Sequence, residues 1–186
     1  IKGGWIGCVQ RAGKSQDIRV TKTQRGLVYA MLHLLEKNSF QKITVNDICQ
    51  EALVSRSTCY VHFEDKYKLL HFCTQELMRE MKERTQAKEG HQILEAALMQ
   101  VHDHANIYKN IFADDPSREL ITMFREHFAH VFQHILETHA GSLEALNGPP
   151  ELISAFYAGG FASMVMWWAS SGFQLPVEEV AACVLD

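Results

Sequence analysis

The sequence lacks long apolar runs and paired-cysteine motifs, and it contains few prolines. Its 186 residues include four prolines and five cysteines, and no two cysteines have CxxC spacing. No apolar run approaches the ~20 residues that cross a bilayer, and the N-terminus has no signal-peptide apolar stretch. We therefore expect a cytoplasmic protein whose cysteines are reduced, buried thiols rather than disulfides.

Motifs typical of enzymes and metal sites are also missing. There is no Gly-rich phosphate loop, no nucleophile elbow and no HExxH sequence. His127, His130 and His134 share one helical face, and the i, i+4 pair has a spacing that can hold Zn²⁺. The same histidines alternate with phenylalanines, which is equally typical of a half-exposed amphipathic helix. We expect no catalysis, no bound metal and no cofactor.

The charges are distributed unevenly along the chain. Residues 1–70 contain eleven lysines and arginines against six acidic residues, a net charge of +5, whereas residues 71–186 contain seven against sixteen, a net charge of −9. A basic N-terminal part and an acidic C-terminal part are typical of a protein that binds phosphates through one end. The alternative is that the asymmetry is accidental.

Helical spacing of apolar residues runs through the whole chain, so we expect an all-α fold. Thr44 precedes one short helical pattern and has Asp47 three residues later, which predicts a capping box. Ser55 is placed to cap the next helix, a short one that ends near His62. Asp65 is placed to cap a long helix after that. Two short helices joined by a tight turn form a helix-turn-helix pattern.

The second of these short helices has the chemistry of a DNA-reading element. Hydroxyl groups can bind phosphates or bases, and arginine can fork onto guanine in the major groove. Tyr60 and His62, near the helix end, and Lys66, just after it, can reach the sugar-phosphate backbone. The alternative is a three-helix packing unit with no role in DNA binding. Three small hydroxyl-bearing residues and one arginine open this helix: Ser55, Arg56, Ser57 and Thr58.

Residues 21–70 resemble the DNA-binding domain of TetR-family transcriptional regulators. The matching segments are TVNDI at 44–48, ALVSRSTCYVHF at 52–63 and KYKLL at 66–70. Two positions depart from the family pattern: Leu53 stands where glycine is common, and Cys59 stands where a larger apolar residue is usual. A left-handed backbone at Leu53 would cost roughly 1 kcal/mol or more.

The resemblance implies an all-helical homodimer that binds near-palindromic operator DNA and usually represses until a small molecule binds. It implies an arm at 1–20, a DNA-binding domain at 21–66 and a ligand-binding and dimerisation domain at 67–186. Lys14, Arg19 and Lys22 are candidate arm contacts. Two alternatives remain: a coactivator whose head binds another regulator protein, and a carrier of a metal or small molecule with a vestigial head. The implied DNA contacts are Thr44, Ser55, Arg56, Ser57, Thr58, Tyr60, His62 and Lys66.

The C-terminal segment 156–179 resembles a subtype found in Firmicutes regulators, which includes the activator of dihydroxyacetone-kinase operons. Aromatic residues and a methionine are candidates for an apolar effector pocket, although ordinary core packing would use the same residues. Two glycines inside a helix suggest close helix approach, either within the chain or at the dimer interface. The pocket candidates are Met99, Tyr108, Phe112, Phe124, Phe128, Phe132, Tyr157 and Phe161, and the interface candidates are Gly159, Gly160, Met164, Trp167 and Trp168.

Overall fold

The protein is all-α over the residues that the structure, a computed structural model, describes: 18–85, 91–113, 117–138 and 148–185. The helices are α1 (Ile18–Leu35), α2 (Val45–Glu51), α3 (Arg56–His62), α4 (Lys66–Thr85), α5 (His91–Asp103), α6 (Ala105–Phe112), α7 (Arg118–Thr138), α8 (Pro150–Ser170) and α9 (Val177–Leu185). No strand occurs in these ranges. The expected fold class is confirmed.

The first three helices form a small head around a buried core. Leu27, Met31 and Leu35 recur along α1 at three- to four-residue spacing, so they lie on one face of the helix and are fully buried. Ile48 of α2 and Leu70 of α4 close the same core. Because this core fixes α2 and α3 against α1, the short α3 helix is held by packing rather than by its own length.

The long helix α4 joins the head to the rest of the chain. It contacts α1 in the head and α5 and α7 beyond it. The division expected between residues 66 and 67 therefore falls in the first turn of this helix. The first helix begins at Ile18, so residues 18–20, which we assigned to an arm, are helical.

Helix α6 docks directly against the head. The Asn110 side chain donates from Nδ2 to the carbonyl oxygen of Leu35 at 2.7 Å, and the amide of Phe40 donates to the carbonyl oxygen of Asn110 at 2.8 Å. Asn106 donates to the carboxylate of Glu36 at 3.3 Å. These three bonds attach the C-terminal end of α1 and the following turn to the second part of the molecule.

Helices α7 and α8 share the most extensive contact between elements in the described part of the chain. Contrary to the expectation that no apolar segment approaches membrane-spanning length, α8 is apolar enough to cross a membrane by length and composition alone. In the structure one face of α8 packs within the chain, through residues that include Ala158, Val165 and Trp168. A different face carries the exposed side chains of Leu152, Phe156 and Trp167.

Candidate nucleic-acid interface

Helix α2 begins with the predicted capping box. The Asp47 amide donates to Thr44 Oγ1 at 3.2 Å, while the Thr44 amide and hydroxyl donate to Asp47 Oδ2 at 2.8 and 2.7 Å. These two bonds, the hydroxyl first, hold the pKa of the Asp47 carboxyl below its usual value. Thr44 is exposed, and its hydrogen bonds with Asp47 hold it in a fixed position at the start of α2.

Helix α3 begins with a cluster of hydroxyl groups. Ser55 caps the helix as predicted, because its Oγ accepts from the amide of Thr58 at 3.1 Å. The same Oγ lies 2.8 Å from Ser57 Oγ and 2.8 Å from Thr58 Oγ1. Three hydroxyls thus meet at the N-terminal end of α3.

The outer face of α3 contains the predicted residues and one further, apolar residue. Arg56, Ser57 and Tyr60 are exposed, as the DNA-binding hypothesis requires. Val61 lies among them and is 81% exposed. Its position two residues after the buried Cys59 and four after Ser57 is the signal that could have identified it. Thr58 and His62 are half-buried and flank this face.

The turn between α2 and α3 has a left-handed backbone conformation at the position where leucine replaces the glycine common in the family. Leu53 has a φ of 56°, in the left-handed region, and its side chain is 92% exposed. The amide of Val54 reaches back to the carbonyl oxygen of Cys49 at 3.0 Å. The turn therefore keeps a geometry suited to glycine while carrying a leucine.

The inner face of α3 packs on α2 through two thiols. Cys49 and Cys59 are both buried and free. Burial, followed by the neighbouring Cys49 thiol, raises the pKa of Cys59 to about 11. Both the expected burial and the reduced state of this pair agree with the structure, so Cys59 acts here as a small apolar residue.

Lys66 differs from the expectation of a phosphate contact. It lies in the first turn of α4, but its ammonium group donates to the carbonyl oxygens of Phe40, Gln41 and Ile43 at 2.9, 3.3 and 2.9 Å. A lysine has three N–H donors, and all three are used within the head. The ammonium also lies 4.5 Å from the ring centroid of Phe40, and burial lowers its pKa.

Two family models match the chain. The model described as bacterial regulatory proteins of the tetR family matches residues 27–72. The model described as a transcriptional regulator C-terminal region, from a TetR group, matches residues 88–185, which is more than half of the chain. The chain belongs to the TetR family of transcriptional regulators. The family resemblance inferred from the head sequence is confirmed.

Solved structures of TetR-family proteins have the same fold. A TetR transcriptional regulator from Streptococcus agalactiae has a TM-score of 0.65 and 23% identity, with 90% of this chain and 93% of that chain covered. The dihydroxyacetone kinase operon activator DhaS has a TM-score of 0.56 and 18% identity, covering 88% and 92%. A TetR-family regulator from Pectobacterium atrosepticum has a TM-score of 0.62 and 16% identity, covering 92% and 94%. No curated protein matches in sequence.

In this TetR-family chain the candidate pocket residues form a packed aromatic cluster. Phe124 contacts the rings of Tyr108 and Phe112, with ring centroids 6.1 and 4.8 Å apart. Phe128 contacts Phe161 at 4.7 Å, and all five of these side chains are buried. Burial also raises the pKa of the Tyr108 hydroxyl.

Two pocket candidates lie at the edge of this cluster or outside it. Tyr157 is partly exposed and stacks on Phe132 at 5.9 Å. Met99 is about half exposed on α5, so its proposed place inside an interior pocket is not supported. In the described part of the chain, a surface cleft of about 460 Å³ lies in the head, lined by Leu34, Asn38, Lys42, Ile43, Asp47, Gln50 and Glu51.

The two tryptophans of α8 point in different directions, as their adjacent positions require. Trp168 is fully buried and donates from Nε1 to the carbonyl oxygen of Leu175 at 3.0 Å, so it belongs to the core and not to an interface. Trp167 is 56% exposed. Met164 is half-buried, and a Cβ added at Gly159 or Gly160 would meet no atom of the described ranges within 4 Å.

Several sequence hypotheses fall on undescribed parts of the chain. Lys14 and the side chains of Arg19, His127, His130 and His134 lie outside the described residues. Within the described ranges, no group of three histidine, cysteine, aspartate or glutamate side chains is placed to hold a metal. His102 on α5 stacks on Trp168 with ring centroids 5.8 Å apart.

Proposed function

We propose that the chain is a ligand-responsive repressor that binds a near-palindromic operator as a homodimer in the cytoplasm. The observation that carries this proposal is the outer face of α3, where Arg56, Ser57 and Tyr60 are exposed together on a helix held by a buried core. A helix of this kind fits the major groove, where side chains distinguish base pairs.

The charge distribution supports DNA binding by the head. The positive net charge lies in residues 1–70, and the rest of the chain is acidic. Phosphate contacts release counterions, so operator affinity should fall steeply with salt. We assign residues 21–66 to DNA binding and residues 67–186 to effector binding and dimerisation. The direct contacts that we propose are Thr44, Ser55, Arg56, Ser57, Thr58, Tyr60 and His62.

The exposed face of α8 supports dimerisation. The spacing of Leu152, Phe156 and Trp167 places them on one face of the helix. All three side chains are exposed. Gly160 lies between them and is exposed. A glycine in a helix costs about 1 kcal/mol relative to alanine, and among the described residues no atom lies within 4 Å of a Cβ built at this position. Close approach of a second copy explains both the apolar face and the glycine.

Contact between α6 and the head supports control by an effector. Tyr108 and Phe112 belong to the aromatic cluster, while Asn110 on the same helix bonds the end of α1. An apolar effector that separates the rings would move α6 and therefore the head. The population would then shift towards a head spacing that mismatches the operator. The effector-lining residues that we propose are Tyr108, Phe112, Phe124, Phe128, Tyr157 and Phe161.

Footprinting and gel shifts with the full chain on the DNA upstream of its own gene test this proposal. We expect a protected near-palindrome and a mass of two chains in solution. Arg56→Ala should lower operator affinity by about 1–3 kcal/mol, which is roughly 5- to 150-fold. Lys109→Ala removes one positive charge from an exposed site on α6, so it should leave affinity nearly unchanged.

A head that binds another regulator protein would behave differently. In that case the chain alone would give no shift at low salt, and a shift would occur only after the second regulator is added. Arg56→Ala would then weaken the protein complex and not a binary DNA complex. Either result would overturn direct operator binding.

A further inference from the structure

The apolar side chain at the centre of the polar outer face of α3 requires an explanation. One helical turn is 3.6 residues, so Val61 lies about 200° around the helix from Cys59, which is the buried residue of α3. Ser57 is four residues earlier and therefore lies directly above Val61 on the same face. Tyr60 is its exposed neighbour. The isopropyl group thus projects outward from the middle of the proposed DNA surface.

Neither folding nor helix formation accounts for this valine. Its side chain is 81% exposed, so it contributes little to the core. Valine also has a lower helix propensity than alanine because its branched Cβ restricts χ1. The same restriction holds the two methyl groups in one preferred rotamer, which makes them a well-defined apolar contact surface.

We propose that Val61 selects a thymine in each operator half-site through contact with the thymine C5-methyl group. Among the four bases, thymine is the one that presents a methyl group in the major groove, and the other edge groups are donors and acceptors. Ser57 supplies a polar contact beside Val61, and Arg56 supplies one from another part of the exposed surface of α3. The inference rests on the proposed operator binding and adds a sequence preference to it.

Replacement of thymine by uracil tests the contact because it removes one methyl group and leaves base pairing intact. The operator is first obtained by selection of random duplex DNA on the full-length protein, and each thymine is then replaced in turn. For the wild type we expect one position per half-site where replacement weakens binding about fourfold, the factor expected from burying one methyl group. Val61→Ala should bind the thymine and uracil duplexes equally.

Two controls make the result specific to this side chain. Lys109→Ala should retain the full thymine preference, because Lys109 lies on α6, outside the proposed DNA surface. Val61→Thr keeps the shape of valine and one of its methyl groups, so it should retain part of the preference. Both variants replace exposed side chains, and circular dichroism should give unfolding temperatures near that of the wild type.

The outcomes distinguish this inference from the proposed function. If the protein binds a selected operator but no uracil replacement has an effect that depends on Val61, the methyl contact is wrong and operator binding stands. If no duplex is selected at any salt concentration, operator binding and the methyl contact both fail. If Val61→Ala weakens only a complex with another protein, the side chain serves a protein interface and the thymine proposal is overturned.

Discussion

The Lys66 ammonium group lies 2.9 Å from the carbonyl oxygen of Phe40 and 4.5 Å from the centroid of the Phe40 ring. Two further carbonyl oxygens, of Gln41 and Ile43, accept the other N–H groups. The turn held in this way leads into Thr44, the cap of α2. Lys66 therefore positions one proposed DNA contact from inside the head.

Replacement of Lys66 should lower the stability of the protein, because its ammonium group bonds to carbonyl oxygens in the head and not to phosphates. In Lys66→Met, three carbonyl oxygens lose a charged donor, and we expect the free energy of unfolding to fall by about 1–3 kcal/mol. Urea denaturation measures this loss. The exposed Lys68 is two residues away in the same helix, so Lys68→Met is a matched control with little expected effect.

Salt dependence separates the positioning role of Lys66 from direct phosphate contact. A lost phosphate contact lowers the slope of log affinity against log salt by about 0.9. We expect Lys66→Met to weaken operator binding with an unchanged slope. A drop of about one unit in the slope would show that the ammonium leaves the carbonyls and reaches the DNA.

The left-handed turn at Leu53 provides a test of backbone strain. Leu53→Gly should raise the free energy of unfolding by about 1 kcal/mol, because glycine adopts a positive φ without the clash at Cβ. Leu53→Ala is the control: it removes the exposed side chain but keeps the Cβ, so it should give no comparable gain. Equal gains in both variants would attribute the effect to the exposed apolar surface instead.

Local patterns in the sequence predicted the head well. Thr44 and Ser55 are caps because short hydroxyl side chains reach the free amides of a first helical turn, a rule confined to four residues. The exposure of Arg56, Ser57 and Tyr60 on α3 also follows from helical spacing. Interactions between distant residues were not predictable: the three carbonyls bound by Lys66 lie 23 to 26 positions away in the sequence. The half-exposed position of Met99 and the full burial of Trp168 were not predictable for the same reason, since the exposure of a residue depends on which helices pack beside it.

The capping box of α2 should make a small part of the stability pH-dependent. The pKa of Asp47 is lowered in the folded state, so its contribution is present above the unfolded pKa of ~3.9 and is lost as pH falls through the folded pKa. At pH 7, Asp47→Asn should reduce the free energy of unfolding by about 0.5–1 kcal/mol, a modest amount because solvent screens the pair. The difference between variant and wild type should shrink at pH 3.

An exposed carboxyl outside the capping box is the appropriate comparison. Glu64 is exposed between α3 and α4, so Glu64→Gln should change the unfolding free energy little at either pH. Urea denaturation at pH 7 and pH 3 measures all three proteins. If the deficit of Asp47→Asn were the same at both pH values, the charge of Asp47 would not contribute to the cap.

The exposed face of α8 can be tested as the dimer interface. Phe156 is 75% exposed, and its ring contacts Tyr157, which is itself partly exposed. Placing a carboxylate there would bury a charge if a second copy covers this face, which is strongly unfavourable without a partner. We therefore expect Phe156→Asp to convert a dimer into monomers at micromolar concentration, as measured by light scattering after size exclusion.

The matched control is an exposed apolar residue on another helix. Met99 on α5 is about half exposed, so Met99→Asp should leave the dimer intact if α8 alone forms the interface. Operator affinity should fall in Phe156→Asp and not in Met99→Asp, because two linked heads bind two half-sites together. If Phe156→Asp remained dimeric and bound the operator normally, the two copies would have to meet through a different surface, and the exposed α8 face would need another occupant.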